Sequence, residues 1–381
     1  MDILGDRVPN DRPIFVVGSP RSGTTMLQLM LHAHPRIAIP PETRFLLAGY
    51  KRRGEWGDLR EAPNRERLAA WITRGKGTNF RDLDLDPDAV AAEIVAGPPT
   101  LGSAIGIVFR AYARKFDKPR WGDKRPAYLL NIGKLLHMFP DAQIINIIRD
   151  GRDCVASLKE QPWHRGGINE AISTWCRGSD AGRRALRTLP PDTYHQVYYE
   201  SLVQDPVGQM TAICDFLGEE YHADMAGPST MAAVAVPKRK VWHELTHGDV
   251  TTQRVGSFVE RLGPEDLALC QSVMRRRLLQ HGYQLVDAGR PTWAQVRSYL
   301  PQRARTVAAR AKRALRAPRR RIRRRPPQPI EDVAARLTSA QCAGRSPTYA
   351  DRSPTYAGQP PEYVGKSPEY AGTPPESLVN R

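Results

Sequence analysis

The sequence predicts an α/β fold in which a mainly parallel central sheet is flanked by helices. Short apolar runs typical of buried strands occur at Ile14–Val17 and Ala142–Ile148, and a third candidate strand, at residues 193–202, ends at Glu200. Segments with apolar residues at helical spacing separate the runs, and strands that alternate with helices usually pair in parallel. The chain has 381 residues, of which 40% are hydrophobic, so it can bury a core of this kind.

The first predicted unit consists of a strand, a glycine-rich loop and a helix. The strand stops at Gly18, and apolar residues recur at helical spacing after Thr25. Backbone N–H groups and the positive end of a helix meet in such a loop, so the unit is typical of an anion site. The spacing of Gly18 and Gly23 is that of a P-loop, which makes the predicted sheet one of P-loop type.

This loop lacks the lysine that a nucleoside triphosphatase uses. Thr24 follows Gly23 at the place of that lysine, and the cation within the loop is Arg21. The missing lysine disfavours a nucleotide kinase or NTPase, and Arg21 favours a single terminal group near the 5′ end of a nucleotide. A glycine-rich turn without a ligand stays open as the alternative.

A second candidate anion site follows the strand Ala142–Ile148. Arg149 comes directly after the strand, and Ser157 lies eight residues later in a predicted helix. A guanidinium and a hydroxyl so placed would bind a second phosphate. Two alternatives stay open, namely a Mg²⁺ site at Asp150 and a surface ion pair between Arg149 and Asp153.

Two further segments carry charged residues next to proline. Glu42 and Arg44 follow a pair of prolines, and Lys124 precedes a helix predicted for residues 127–138. Each has an ordinary alternative, because Glu42 would pair with Arg44, and Lys124 with Asp123, at a solvated surface.

The positive charge of the chain is concentrated in one segment. The formal net charge is +17, and residues 290–325 contain 14 Lys and Arg but no Asp or Glu, which leaves +3 for the rest. We therefore expect an α/β domain at 1–287, an Arg-rich basic helix or linker at 288–330 and a tail at 331–381. The tail repeats Tyr and Pro every seven residues, and its prolines and few aliphatic residues predict disorder.

Three interpretations of the basic segment stay open. Residues 293–325 would bind an anionic membrane surface, contact nucleic acid nonspecifically or serve as a solvated linker. Nucleic acid is the least favoured, because no nucleic-acid-binding fold accompanies the charge.

The five cysteines have no metal-ligand spacing, and no apolar run reaches ~18 residues. These features predict a reduced, cytoplasmic chain. If the basic segment binds an anionic membrane surface, this chain lies at the inner face of the membrane.

The two anion motifs together resemble those of one enzyme family. GSPRSGTT is similar to the 5′-phosphosulfate loop of sulfotransferases that use 3′-phosphoadenosine 5′-phosphosulfate (PAPS), and RDGRDCVAS is similar to their 3′-phosphate motif. Further segments resemble the tyrosylprotein sulfotransferases and their bacterial relatives. The resemblance covers residues 14–285, except a poorly matched stretch at 50–115. The further segments are PPETR, DKRP, WCRG, VYYESLVQDP and RVGSF.

The resemblance implies an enzyme that moves the sulfuryl group of PAPS to an acceptor hydroxyl by in-line attack, without a metal. It implies Glu42 as the general base with Arg44 beside it, and Arg21 and Lys124 at the sulfuryl group. The acceptor stays open between a tyrosyl phenol, a small molecule, a glycan and a lipid. The residues implied for the donor are Arg21, Ser22, Gly23, Thr24 and Thr25 at the 5′-phosphosulfate, Arg149 and Ser157 at the 3′-phosphate, and Tyr199 near the nucleotide.

Other hypotheses stay beside the sulfotransferase. One is a P-loop nucleotide kinase or NTPase, and another is a membrane-associated adaptor built on the basic helix and the tail. His32 and His34 are alternative bases, although packing or helix capping suits their positions better. An acidic residue precedes Tyr363 and Tyr370, which suggests a docking motif or a self-sulfation substrate. The sequence also leaves a homodimer open.

Overall fold

A five-stranded parallel sheet organises the residues that the computed structural model describes, 11–227 and 251–322. The strand order is β2-β3-β1-β4-β5, and each neighbouring pair is parallel. The predicted α/β class with a parallel central sheet is thereby confirmed. The strands are β1 (Ile14–Gly18), β2 (Ile37–Ala38), β3 (Arg120–Lys124), β4 (Gln143–Ile148) and β5 (Tyr194–Tyr198).

Helices cover the sheet and connect its strands. The α-helices are α1 (Thr24–Ala33), α2 (Phe45–Lys51), α3 (Ala62–Arg74), α4 (Pro87–Ala96), α5 (Leu101–Arg114), α6 (Ile132–Met138), α7 (Gly151–Lys159), α8 (Gly167–Thr188), α9 (Tyr199–Gln204), α10 (Pro206–Leu217), α11 (Phe258–Arg261), α12 (Pro264–Gln280) and α13 (Trp293–Ile322). Short 3₁₀-helices span Phe80–Leu83, Pro126–Asn131 and Ala223–Ala226.

Alternate residues of β1 pack into different parts of the core. Phe15 and Val17 join an apolar cluster that includes α5, whereas Ile14 and Val16 join a second cluster that includes α1 and α10. Every residue of β1 is buried, because β3 and β4 pair with it on either side. This central position explains the continuous apolar run in the sequence. Since all strands are parallel, their carboxyl ends meet at one edge of the sheet, which is where ligands bind in such folds.

Two of the strands differ from the sequence-based prediction, which contains neither β2 nor β3. β3 carries Arg120, Asp123 and Lys124, whose charges conceal its strand character, yet all five of its residues are buried. β2 is only two residues long and pairs with β3 at the edge of the sheet. Both strands depend on tertiary pairing rather than on a local apolar pattern.

The fifth strand ends earlier than predicted. Tyr198 is its last residue and α9 begins at Tyr199, so Tyr199 and Glu200 lie in a helix and not in a strand. Helix formation buries Leu202 in the same cluster as β1, and this packing overrides the local preference of a tyrosine-rich sequence for a strand. The helix predicted at 127–138 likewise divides into a 3₁₀-helix and α6.

The basic segment begins as a long helix. α13 runs to Ile322, as expected for the start of the basic segment, and residues 331–381 with the tyrosine repeat lie outside the described part of the chain. The domain boundaries at 287 and 330 stay predictions. Within the described ranges, no helix is both long and apolar enough to cross a membrane. The cysteines of these ranges, all buried and in no disulfide with one another, are Cys154, Cys176, Cys214 and Cys270.

Candidate active site

The loop between β1 and α1 is held in a conformation that requires glycine. The backbone N–H and the hydroxyl of Ser22 both donate to the carbonyl of Ser19, at 3.1 and 2.7 Å. Arg21 and Gly23 have left-handed φ angles of 68° and 95°. A Cβ on Gly23 would lie 2.6 Å from Cδ2 of Tyr199, so a larger residue would collide with the tyrosine ring. The loop is therefore shaped jointly by its own sequence and by α9.

The amino end of α1 follows this loop directly. Gly23 offers no side-chain cap, and the first turn contains no acidic residue, so the helix dipole and the first N–H groups are available to an anion. Thr24 is buried and Thr25 is half-buried. The ammonium of Lys124 donates to the hydroxyl of Thr25 at 3.3 Å, which brings the carboxyl end of β3 to the same place.

The two predicted anion motifs come together in the structure. Nε of Arg21 donates to the hydroxyl of Ser157 at 3.0 Å, and Nη1 of Arg149 donates to the carbonyl of Arg21 at 3.3 Å. Burial lowers the pKa of Arg21, and the nearby Arg149 lowers it further. Two guanidinium groups held this close create a strong positive potential. We call Arg21, Arg149 and Ser157 the arginine cluster.

Arg149 is buried against both an aromatic ring and a carboxylate. Its guanidinium lies over the ring of Tyr199, 4.3 Å from the centroid, and Nη2 lies 3.6 Å from Asp153. Burial alone would lower the pKa of Arg149, but the neighbouring acidic groups, Asp153 foremost, together raise that pKa. The ion pair expected at the surface is in fact buried. Among the described residues, Nε of Arg149 has no hydrogen-bond partner, so this donor is free for a ligand.

Asp153 also fixes the RVGSF segment at residues 254–258. Its carboxylate accepts the backbone N–H groups of Gly256 and Phe258, at 2.9 and 2.8 Å, and the hydroxyl of Ser257 at 3.2 Å. Arg149 donates in turn to the carbonyl of Arg254. The segment thus lies beside the arginine cluster.

The alternative of a magnesium carboxylate at Asp150 finds little support. Asp150 is fully buried and accepts hydrogen bonds from Arg152, from Nη2 at 2.7 Å and from Nε at 3.1 Å. It also caps α7 by accepting the N–H of Arg152 at 2.8 Å. Its carboxylate oxygens therefore serve the fold rather than an open site.

Glu42 lies between two cations of the DKRP segment. One carboxylate oxygen is 3.7 Å from Nζ of Lys124, and the other is 3.4 Å from Nε of Arg125. The side chain of Glu42 is 29% exposed, so it is accessible from solvent. Arg44, which was expected beside Glu42, is exposed at the start of α2, and Arg125 takes its place. We call Glu42, Lys124 and Arg125 the glutamate cluster.

A buried aspartate supports the glutamate cluster from behind. Asp123 accepts the hydroxyl of Thr43 at 3.2 Å, the backbone N–H of Lys124 at 2.9 Å and the hydroxyl of Tyr128. Burial raises the pKa of Asp123 to about 7. Burial also lowers the pKa of Lys124, although Glu42 opposes the shift. Thr43 follows Glu42 in sequence, so the hydrogen bond from Thr43 to Asp123 fixes the segment that carries Glu42 against β3.

The two histidines proposed as alternative bases have structural roles. His32 accepts the N–H of Ile39 at 3.1 Å, and burial lowers its pKa to about 3. His34 caps the end of α1, where it accepts the N–H of Arg36 at 3.1 Å and contacts the carbonyl of Glu220 at 2.9 Å. Both lie at the carboxyl end of α1, roughly 15 Å along the helix from Thr24. The expectation of packing and capping agrees with this geometry.

Several residues of the site do not follow from the sequence motifs. Arg125 lies in the DKRP segment, but no motif pairs it with Glu42, and the sequence indicates Asp153 only as an ion-pair partner of Arg149. Trp175 also contributes, because its indole N–H donates to the carbonyl of Arg149 at 3.0 Å. The adjacency of Arg125 to Lys124 was a usable signal, whereas the contacts of Asp153 and Trp175 depend on the fold.

This combination of fold and site defines a class of protein. The architecture is that of the Sulfotransferase Domain from the Synechococcus PCC 7002 Olefin Synthase, which matches with a TM-score of 0.51 and 24% identity. The match covers 74% of this chain and 98% of that domain. Residues 13–223 match the model of the sulfotransferase family, and the chain belongs to this family.

Curated relatives carry the family name together with a substrate class. Protein-tyrosine sulfotransferase A of Caenorhabditis elegans is 26% identical over 209 residues, which are 54% of this chain and 49% of that protein. Protein-tyrosine sulfotransferase of Drosophila melanogaster is 28% identical over 211 residues, which are 54% of this chain and 37% of that protein. The chain thus spans half or less of the length of these relatives.

Proposed function

We propose that the chain transfers the sulfuryl group of PAPS to an acceptor hydroxyl. The observation that carries the proposal is the hydrogen bond between Arg21 and Ser157, because it joins the glycine loop and the second anion motif into one site. A ligand with anionic groups at its 5′ and 3′ ends matches such a pair of neighbouring anion sites. Family membership supports the same donor.

The residues present fit this donor. The uncapped start of α1 and the loop from Ser22 to Thr25 would hold the 5′-phosphosulfate. Arg149 and Ser157 would hold the 3′-phosphate, and the unpartnered Nε of Arg149 supplies a donor for it. Tyr199, which touches both the loop and Arg149, would position the nucleotide.

The glutamate cluster supplies the groups that the transfer needs on the acceptor side. When bound, PAPS supplies an activated sulfuryl group on a phosphate leaving group. Glu42 is a partly exposed carboxylate that would accept the proton of the acceptor hydroxyl. Lys124, held between Glu42 and Thr25, would place its ammonium where negative charge develops. Arg21 would add a second fixed positive charge.

The acceptor in this proposal is a tyrosyl phenol. The support is the name of the curated relatives, which are protein-tyrosine sulfotransferases. A nucleotide kinase or NTPase on the same sheet is the weaker alternative, because Thr24 stands in place of the P-loop lysine and Asp150 is engaged by Arg152.

The test is turnover with defined donors and acceptors. The full chain is incubated with PAPS and a tyrosine-containing peptide, and the release of adenosine 3′,5′-bisphosphate is followed together with the mass of the peptide. We expect bisphosphate release that depends on the acceptor, with addition of one sulfuryl group to the peptide. Sulfation of another hydroxyl acceptor alone would overturn the tyrosyl part. Turnover of ATP with Mg²⁺ and none of PAPS would overturn the whole proposal.

A further inference from the structure

The basic helix α13 contacts the rest of the protein through polar groups and through Tyr299, which packs against an apolar cluster of α7, α8 and α12. Gln295 donates to the carbonyl of Glu265 at 2.7 Å, and Asn169 of α8 donates to the carbonyl of Ser298 at 3.1 Å. The hydroxyl of Thr306 lies 3.1 Å from that of Ser173. Gln295, Ser298 and Thr306 fall on one side of the helix, and this side faces the domain.

Three large apolar residues of α13 point away from the domain. Trp293, Leu300 and Val307 are 86%, 48% and 57% exposed. They are spaced seven residues apart, so they share one side of the helix, about 100–180° round from the polar residues that contact the domain. Large apolar residues aligned on an exposed helix face mark an interaction surface rather than a solvated linker. We call these three residues the outer stripe.

The charge around the outer stripe indicates what kind of partner covers it. Residues 290–325 contain 14 Lys and Arg and no Asp or Glu. Arg297, Arg303 and Arg305 are exposed on the part of the helix that carries the stripe. A second copy of the helix would bring two such charge runs together, and like charges disfavour that pairing. A nucleic acid would use the arginines but has no need of the apolar stripe.

We propose that α13 docks on an anionic lipid surface. The outer stripe enters the boundary between headgroups and acyl chains, where the indole of Trp293 suits the interface. The arginines beside the stripe contact the lipid phosphates, and the electrostatic and apolar contributions add. The helix lies in the plane of the surface and keeps its domain-facing side on α8 and α12, so α13 holds the domain at the membrane.

The test is co-sedimentation of the full chain with lipid vesicles. One set contains phosphatidylcholine and phosphatidylglycerol at a ratio of about three to one, and the other contains phosphatidylcholine alone. We expect the protein to bind the anionic vesicles at least tenfold more tightly, and to lose most of this binding at high salt.

Two matched triple variants separate the outer stripe from general surface apolarity. The first combines Trp293→Ser, Leu300→Ser and Val307→Ser. The control combines substitutions at half-exposed residues of the same types elsewhere on the described surface. The control substitutions are Trp163→Ser (48% exposed), Leu279→Ser (52%) and Val207→Ser (51%). We expect the first variant to bind anionic vesicles about 100-fold more weakly, and the control to bind like the unaltered protein.

Three results would overturn the proposal. The first is equal binding by the stripe variant and the unaltered protein, which would mean that charge alone acts. The second is equal binding to neutral and anionic vesicles, or to neither. The third is a dimer in sedimentation velocity that the stripe variant loses, which would make a second copy the partner. Turnover of a soluble peptide acceptor by the stripe variant is expected to be unchanged, so this test is independent of the proposed function.

Discussion

Both clusters of the site rest on a buried aspartate, but the two aspartates act differently. Burial raises the pKa of Asp153, but the ion pair with Arg149 at 3.6 Å and two backbone N–H donors oppose the shift and favour its charged form. Asp123 accepts the hydroxyls of Thr43 and Tyr128, and burial raises its pKa to about 7. The arginine cluster is therefore a buried ionic site, and the glutamate cluster is a half-exposed site on a hydrogen-bonded support.

This difference suggests a division of labour. A buried ion pair is costly to break, because one partner is left charged and unpaired, so the arginine cluster should tolerate few changes. The glutamate cluster contains a carboxylate that solvent reaches and a lysine with a lowered pKa, which suits proton transfer and acceptor binding. The predictions below test the two clusters against each other.

The largest expected effect is on turnover at the glutamate cluster. Glu42→Gln keeps the size of the side chain but removes the proton acceptor, so we expect kcat to fall ~10²–10⁴-fold. The affinity for adenosine 3′,5′-bisphosphate should change little, because the arginine cluster is untouched. Steady-state kinetics and calorimetry check the two parts. Glu55→Gln, at an exposed glutamate, is the control and should behave like the unaltered protein. Full turnover by Glu42→Gln would rule out the glutamate as base.

The next effect concerns the shape of the glycine loop. Gly23→Ala places a methyl group 2.6 Å from the ring of Tyr199 at a φ of 95°, so the loop and the ring must separate. We expect donor affinity to fall more than about 100-fold. Gly77→Ala is the matched control, because Gly77 has a φ of 81° but nothing within 4 Å of the added carbon. Equal losses in both variants would mean that backbone strain, and not the contact with Tyr199, limits binding.

Matched substitutions of the two aspartates compare the clusters directly. Asp153→Asn leaves Arg149 buried without its counter-charge, so we expect the free energy of unfolding to fall by about 3–5 kcal/mol. Asp123→Asn keeps a hydrogen-bonding group of the same size, and we expect a loss of about 1 kcal/mol. Denaturant unfolding at pH 7 measures both. Equal losses would contradict the distinction between an ionic and a hydrogen-bonded support.

The smallest expected effect is on the pH dependence of stability. Burial raises the pKa of Glu200 to about 7, where it accepts the N–H of Asp150 at 2.9 Å and the hydroxyl of Tyr283 at 3.0 Å. A carboxyl with a raised pKa binds its proton more tightly in the folded state, so its contribution to stability is present below about pH 4.5 and is lost as pH rises through 7. Glu200→Gln retains hydrogen-bonding capacity but does not titrate. We expect the melting temperature of the variant to fall less between pH 5 and 8 than that of the unaltered protein. An identical dependence of the melting temperature on pH in both proteins would refute this role.

The arginine cluster was largely predictable from sequence, and the glutamate cluster was predictable only in part. Arg21, Arg149 and Ser157 follow local patterns, because each lies just after an apolar strand or in the helix that follows it. Their direct contact could not be predicted, since Arg21 and Ser157 are 136 residues apart. The resemblance supplied Glu42 and Lys124, but the partner of Glu42 proved to be Arg125 rather than Arg44.

The misses have a common physical origin. The sequence of β3 does not look like a strand because it contains charged residues. Partners elsewhere in the sequence allow these residues to be buried. Asp153 contacts residues more than 100 positions away, and Tyr199 lies in a helix that its own sequence disfavours. The outer stripe of α13 likewise becomes apparent only when the structure shows which side of the helix faces α8. Each of these features depends on tertiary packing, which no local pattern reveals.

Calorimetric titration with adenosine 3′,5′-bisphosphate in the absence of Mg²⁺ tests the central claim most directly. The site combines the loop at α1 with Arg149 and Ser157, so we predict binding in the micromolar range to the unaltered protein. Arg149→Ala should weaken binding at least about 100-fold, because a buried guanidinium is lost, while Arg187→Ala on the exposed side of α8 should leave it unchanged. Absence of binding to the unaltered protein, or equal binding to Arg149→Ala, would contradict the assignment of this site to a 3′-phosphorylated nucleotide.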